Sequence, residues 1–297
     1  MTLITSSKVN QFFSDLFIGA ISACISKTVA SPLEVIKLQI QNQDELIKQK
    51  IISKPYSSIL DCLIRLVKEG GILSLYKGNL INILSYFPTQ SVNFALKPCF
   101  KNLLSKNKTI KNKILLYNIL SGSLAGMTSM LFFHPLDFAH TKISTDRKNK
   151  LLNKNTKYKN ILDVYKQEYK KGGLKGIYRG IPMSCATMFI YRGLYFGLYD
   201  TMKVYAKNSF SKGIIGWGST IISGACAYPF DTVRRRMMMS NGENDAYKNS
   251  LICFKYIIMK EGWKSLYKGH GANIMRSLCG ALALVLFDKF KDVRKKL

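Results

Sequence analysis

The sequence predicts an all-α membrane protein: six transmembrane helices in three pseudo-threefold repeats, each repeat adding a short amphipathic helix. Two observations carry this. Apolar stretches lie near residues 12–36, 79–96, 114–136, 181–199, 213–233 and 272–287, each close to the ~20 residues that cross a bilayer. A proline-centred motif and a Tyr-basic-Gly motif then recur three times in the same order.

The proline motif reads Pro32-Leu33-Glu34-Val35-Ile36-Lys37, then Pro135-Leu136-Asp137-Phe138-Ala139-His140, then Pro229-Phe230-Asp231-Thr232-Val233-Arg234. Gly70…Tyr76-Lys77-Gly78, Gly172…Tyr178-Arg179-Gly180 and Gly262…Tyr267-Lys268-Gly269 follow at similar distances. The repeats run over about 10–105, 113–207 and 210–297 within one domain spanning 1–297, and such self-similarity marks stacked structural units. Each unit places the proline motif near the end of one apolar segment. A polar loop follows, then Tyr-basic-Gly and a second apolar segment. Within the first loop, Ile59, Cys62, Leu63, Leu66 and Val67 form an apolar stripe at helical period. Six crossings put both termini on one side and all three loops on the other.

No apolar segment is clean; each carries Ser, Thr, Gly, Asn or a charge. Helices with one face on lipid and another on a watery cavity read this way. A soluble protein with six such helices would have too little polar surface to cover its core. Proline removes a backbone hydrogen bond and kinks a helix, so three kinks at one depth turn the helix ends toward a common axis. An acid and a base three residues apart can each reach a neighbouring helix, closing a breakable ring of ion pairs. Small residues, Gly122 with Gly126 and Gly19 with Ala23, allow close helix approach.

Lys and Arg number 45 against 17 Asp and Glu, a net charge of +28. Part of this is a Lys-rich surface, as from Lys101 to Lys113, and part predicts an anionic partner. No zinc-finger spacing or RNA-binding signature supports nucleic acid. The seven cysteines (24, 62, 99, 185, 226, 253 and 279) are scattered without CxxC, which reads as apolar filler with no disulfide or metal site. No nucleophile–base set or Walker loop points to an enzyme, and Gly216-x-Gly218 lacks the context of a dinucleotide site. Met1–Phe13 shows neither a signal-peptide nor a transit-peptide pattern, so targeting information is expected to be internal.

The thrice-repeated Pro-x-acid-x-x-base motif resembles the signature of the mitochondrial carrier family, over about residues 12–292. Within it, Arg234-Arg235-Arg236-Met237-Met238-Met239 matches the RRRMMM signature of the ADP/ATP carriers. Tyr76–Leu80, Tyr86–Gln90, Asn93–Ala95, Pro135–Ala139 and Tyr191-Arg192 to Tyr199-Asp200 also match that subfamily. The resemblance implies a monomeric antiporter working by alternating access in the mitochondrial inner membrane, or in that of a related organelle. Its repeats each carry a short matrix-side helix.

The resemblance also assigns residues. It implies a matrix gate pairing Glu34 with His140, Asp137 with Arg234 and Asp231 with Lys37, braced by Gln41. It implies an opposite gate from Lys101, Asp200 with Lys203, and Asp288 with Lys291, weakened because Pro98 replaces the acid of the second helix. Cardiolipin is expected at the Gly78, Gly180 and Gly269 turns, where helix N-termini bind anions. No other cofactor and no metal is implied. Substrate contacts are expected from Lys27, Ser85, Asn93, Thr187, Met188, Tyr191, Arg192 and Arg276, with Tyr195 and Tyr199 continuing a tyrosine ladder. Ser85, Thr187-Met188, Ala227 and His140 depart from the subfamily's arginine, Gly-Ile, serine and arginine. ADP/ATP exchange is the implied activity, and the alternative is a carrier of the same family for another nucleotide or phosphorylated anion.

Overall fold

The computed structural model describes residues 6–105, 114–147, 157–206, 208–240, 247 and 249–278. These residues form helices without a strand among them. α1 runs Ser6–Gln41, α2 Ile59–Gly70, α3 Asn79–Ser105, α4 Ile114–Thr145 and α5 Ile161–Ile177. α6 runs Ile181–Met202, α7 Ser209–Met239 and α8 Ser250–Glu261. Residues 270–278 are helical and are called α9. The odd member of each pair (α1, α4, α7) contains the repeated proline. The second member (α3, α6, α9) starts just after the Tyr-basic-Gly turn.

By length and composition, α4 alone among the described helices is apolar enough to cross a membrane unaided, over Leu116–Thr145 at mean hydropathy 1.2. The others reach the same end by dividing their faces. Val29, Leu80, Leu84, Ile214 and Leu278 are exposed outward-type apolar side chains, while Lys27, Glu34, Tyr191, Lys212 and Arg276 line an internal cavity. That division lowers the average hydropathy without removing the lipid-facing stripe.

The short loop helices follow their apolar stripes. α2 starts behind Ser58, whose Oγ accepts from the Asp61 amide at 3.0 Å. Cys62 and Leu66 are buried with Val35, Ile36 and Met239, and Ile59, Leu63 and Val67 pack against them. α5 is capped in the same way by Asn160, which accepts from the Asp163 amide at 2.9 Å.

The structure corrects the register of the glycine landmark. The left-handed residues that end α2, bend α5 and end α8 are Gly71 (φ 74°), Gly173 (φ 57°) and Gly262 (φ 82°). Gly70 and Gly172, one residue earlier, are the positions the sequence pattern suggests. Gly78, Gly180 and Gly269 are also left-handed, and each lies against the odd helix of the next repeat. A Cβ on Gly78 would sit 2.3 Å from Ser144 Oγ, one on Gly180 3.1 Å from the Arg234 carbonyl, and one on Gly269 3.0 Å from the Lys37 carbonyl. The three contacts form a closed cycle in which each repeat holds the next. Gly122 and Gly126 serve a different approach, admitting Phe196 and Arg192 of α6 against α4.

The basic residue of each turn reaches into that contact. Lys77 Nζ donates to the Asp146 carbonyl at 2.8 Å, Arg179 Nη1 to the Ser240 carbonyl at 3.1 Å, and Lys268 Nζ to Asp44 at 2.8 Å. All three acceptors lie just beyond the C-terminus of an odd helix, where a cation meets unpaired carbonyls and the negative end of the helix dipole. Ser31, His134 and Tyr228, the residues before the repeated prolines, hold the same turns from within their own repeats. Ser31 Oγ donates to the Leu75 carbonyl at 3.2 Å, the His134 imidazole meets the Arg179 carbonyl at 3.2 Å, and Tyr228 OH donates to that of Lys268 at 2.9 Å.

Two predictions follow from these contacts. Gly78→Ala adds a left-handed alanine, at about 1–3 kcal/mol, to a collision with Ser144, and should lower the Tm in detergent by several degrees. Gly172→Ala meets no atom within 4 Å and should stay within about 0.5 kcal/mol of the parent; equal Tm values for the two variants would refute the interlock. The second concerns Glu168 on α5, which pairs with Lys142 at 3.2 Å and Lys171 at 2.9 Å and accepts from Tyr158 OH at 2.6 Å. Burial works to raise its carboxyl, but Lys142, Tyr158 and Lys171 hold it at about 2, below the ordinary 4.5. A depressed carboxylate stabilises the fold above its unfolded pKa and loses that contribution as pH falls through the folded one. Acid unfolding of the parent should therefore draw on the interval from about 4.5 to about 2, and Glu168→Gln should flatten Tm against pH there.

Candidate functional site

The odd helices end together on the loop side, and the repeated acids and bases meet there. Lys37 Nζ lies 2.8 Å from Asp231 Oδ2, joining α1 to α7. Gln41 Nε2 donates to the same carboxylate at 3.2 Å and to Thr232 Oγ1 at 3.0 Å. Arg234 pairs with Asp137, joining α7 to α4. Arg235 also reaches both acids, at 3.3 Å from Asp137 and 3.6 Å from Asp231. All of these charged groups are buried or nearly so, which is tolerable only because each has a partner.

The expected third pair is not formed. Glu34 Oε2 instead accepts from Asn82 Nδ2 of α3 at 2.7 Å, and His140 is buried with its ring against the Gly78 turn. An imidazole is shorter than a lysine or arginine side chain, and Asn82 offers Glu34 a nearer donor. The ring of ion pairs therefore has two charged legs and one amide-held leg. Asn82 carries no charge and lies outside the repeated motifs, so no sequence signal marks it.

Behind this plug, away from the loop side, opens a cavity of about 510 Å³. Lys27 and Arg276 supply cations to its wall, and Tyr191, Tyr195 and Tyr199 supply one aromatic face. The three rings are nearly parallel, with centroids 6.3 Å and 5.9 Å apart. Lys27 Nζ donates to Asn82 Oδ1 at 3.4 Å and lies 5.0 Å from the Tyr86 ring centroid. Arg276 Nη2 donates to Asn273 Oδ1 at 3.1 Å, and its buried Nε has no hydrogen-bond partner. Lys212, Trp217 and Ser277 also line the cavity, and the sequence motifs mark none of them.

Other candidate contacts are placed differently. Asn93 is buried between α3 and α4, accepting from Ser129 Oγ at 2.8 Å. Arg192 packs over Gly126 at the α4–α6 contact. Ser85 donates to the Asn82 carbonyl at 3.0 Å, and Thr187 to that of Met183 at 2.7 Å, both within their own helices. Met188 is half-buried beside Thr187, and Ala227 is buried.

The second gate is not assembled among the described residues. Asp200 pairs with Lys203 inside its own helix, and Lys101 lies 5.8 Å from the Tyr117 ring centroid, with no ion pair to either. Asp288 and Lys291 lie outside the described residues. The molecule is thus closed on the loop side, with its cavity on the other.

The remainder of the RRRMMM run is structural. Arg236, fully buried, donates to the Gln41 carbonyl at 3.1 Å and pairs with Asp44 at 2.5 Å and Glu261 at 3.0 Å. Met237, Met238 and Met239 enter three different apolar clusters, those of the third, second and first repeats respectively.

Two buried ion-pair legs thus close one end of a cavity walled by cations and tyrosines. The chain matches the family described as mitochondrial carrier protein over residues 8–108, 111–210 and 205–296. It is 44% identical over 289 residues to "ADP,ATP carrier protein 2, mitochondrial" of Zea mays, covering 95% of this chain and 75% of that one. It is 43% identical over 291 residues to "ADP,ATP carrier protein" of Chlamydomonas reinhardtii, covering 95% and 94%. Against the protein of that name in Schizosaccharomyces pombe it is 42% identical over 294 residues, covering 96% and 91%. The chain belongs to the mitochondrial carrier family, and is a transporter and not an enzyme.

The geometry predicts unequal consequences within the plug. Removing Asp231 leaves Lys37 without its acidic partner in a buried site, whereas removing Lys37 leaves Asp231 with Arg234 at 3.5 Å and Arg235 at 3.6 Å. Asp231→Asn should therefore cost about 3–5 kcal/mol of this conformation, with Lys37→Gln costing distinctly less, measured as Tm in detergent. The reverse order would break the assignment.

Proposed function

We propose that the chain exchanges ADP for ATP across the mitochondrial inner membrane, acting as a monomer by alternating access. The observation that carries this reading is the tyrosine-walled cavity lined by Lys27, Lys212 and Arg276 and ending on a breakable plug of ion pairs. Relatives that carry the name ADP,ATP carrier along nearly the whole chain support the substrate. The loop side is then the matrix side, and the conformation described is open away from it.

A nucleotide di- or triphosphate suits the cavity chemically. Its phosphates meet Lys27 and Arg276, and its base has aromatic faces to lie on. Two unit charges about 4 Å apart attract by about 4 kcal/mol at an effective dielectric near 20. Phosphate binding can therefore offset part of the cost of separating the plug, which is what an exchanger requires of its substrate. Ser85, whose hydroxyl is held by the Asn82 carbonyl at 3.0 Å, adds no cation to this clamp. Cardiolipin is proposed as a bound lipid at the Gly78, Gly180 and Gly269 turns, which precede the N-termini of α3, α6 and α9, since helix N-termini bind phosphate.

Reconstitution into liposomes loaded with ADP or ATP tests the reading. The parent should exchange the two, and Arg276→Ala should lower the rate at least tenfold, a loss of about 1.4 kcal/mol or more. Ser85→Arg should tighten ATP more than ADP. Liposomes that exchange neither nucleotide would sink the proposal.

A further inference from the structure

Trp217 is a large apolar side chain turned into the cavity. It stands on α7 with Gly213, Gly216 and Thr220, all on the cavity wall, and 38% of it is exposed. A tryptophan placed for packing would sit between helices or on the lipid face, where its area is buried in protein or lipid. Here the ring is fixed instead by a hydrogen bond, its Nε1 donating to Ser277 Oγ at 3.3 Å. Ser277 follows Arg276, the cation of the same wall. Gly213 and Gly216 add no side chain beside the indole.

The tyrosine ladder bounds the same cavity from α6. α6 and α7 approach closely at this level, a Cβ on Gly216 lying 3.6 Å from the Tyr199 ring. Yet no ring contact joins Trp217 to Tyr191, Tyr195 or Tyr199 among the described residues, although ladder rings contact one another. Trp217 from α7 and the tyrosine ladder from α6 thus line one cavity, with Arg276 and Lys27 on the same wall. That arrangement suits a flat, neutral ring attached to an anionic tail.

We infer that Trp217 is a specificity-determining residue that contacts the base of the transported nucleotide. The indole forms one wall of an aromatic slot and the tyrosine ladder the other, while the phosphates turn to Lys27 and Arg276. This rests on the nucleotide-exchange reading above and adds a base-recognising contact to it. Aromatic stacking is tolerant of base identity, so the slot selects for a base being present more than for adenine over guanine.

The chain has 2 tryptophans, and the other, Trp263, is exposed on the loop-side turn. Trp263→Phe thus leaves Trp217 as a single reporter. ADP should quench its emission saturably, and inorganic pyrophosphate, which carries the charge without the base, should not. In liposomes Trp217→Leu should raise KM for ADP at least fivefold with kcat little changed, and Trp217→Phe should recover most of the loss. The inference is overturned if ADP is exchanged without quenching Trp217, if pyrophosphate quenches equally, or if Trp217→Leu leaves KM unchanged. Those outcomes leave the exchanger reading standing. A parent that exchanges no nucleotide overturns both.

Discussion

Three helix C-termini meet at one point on the loop side, and the carbonyls left over there must find donors. Each odd helix ends with unpaired C=O groups and the negative end of its dipole, and the three ends lie in a buried plug. The residues seven positions after the prolines meet this demand across the repeats. Gln39 donates to the Ser144 carbonyl at 3.2 Å, Lys142 to the Met239 carbonyl at 3.4 Å, and Arg236 to the Gln41 carbonyl at 3.1 Å. Each donor caps the following repeat in the same cyclic sense as the Tyr-basic-Gly turns. Part of the +28 net charge is thereby structural: Lys77, Lys142, Arg179, Arg236 and Lys268 serve helix ends and leave only a subset of cations for a substrate.

The same convergence explains why a signature of six consecutive residues sits on one helix. At the end of α7 the successive side chains of a helix fan out in all directions, 3.6 per turn. Arg234 and Arg235 point to the ion-pair plug, Arg236 to the first repeat's α1 end and the third repeat's α8 end. Met237, Met238 and Met239 enter all three loop-side clusters. Methionine is unbranched and adaptable, suited to filling three non-identical sockets from one turn of helix. A branched residue would need each socket shaped to it. The run therefore joins the repeats, with Arg234 and Arg235 as its members in the ion-pair plug.

How far the sequence reveals this depends on whether one residue type repeats. The prolines, the acids, the glycines of the turns and the apolar stripe of α2 are legible because the same chemistry recurs at the same offset. The ties before each proline are not, because Ser31, His134 and Tyr228 do one job with three side chains. Gln39, Lys142 and Arg236 are hidden for the same reason. The Gly70 and Gly172 register is off by one, although the five-residue offset of Gly262 from Tyr267 recurs at Gly71–Tyr76 and Gly173–Tyr178 and marks the left-handed glycines. In the cavity, Lys27, Arg276 and the tyrosines are legible from their motif neighbours. Trp217 and Lys212 are not, since no repeated position carries them. Arg192 shares α6 with the cavity tyrosines, but side-chain direction places it at the α4–α6 contact, and Asn93 lies on α3, which lends no described residue to the cavity wall.

The unequal ring has a consequence for how the plug could open in the exchange cycle proposed above. Lys37–Asp231 and Arg234–Asp137 are direct ion pairs, and neither has a neutral intermediary. The third leg runs Glu34–Asn82–Lys27, with Asn82 donating to the acid at 2.7 Å and accepting from the ammonium at 3.4 Å. Lys27 lines the cavity, so an anion drawn to it competes with the longer of these two hydrogen bonds. Loss of that bond frees the amide that holds Glu34 and loosens one leg of the plug directly from the cavity. The two charged legs have no such neutral bridge and set the bulk of the barrier. In this arrangement the short side chain of His140 leaves Glu34 to the Asn82 amide, where a longer lysine or arginine could reach it as a third direct ion pair.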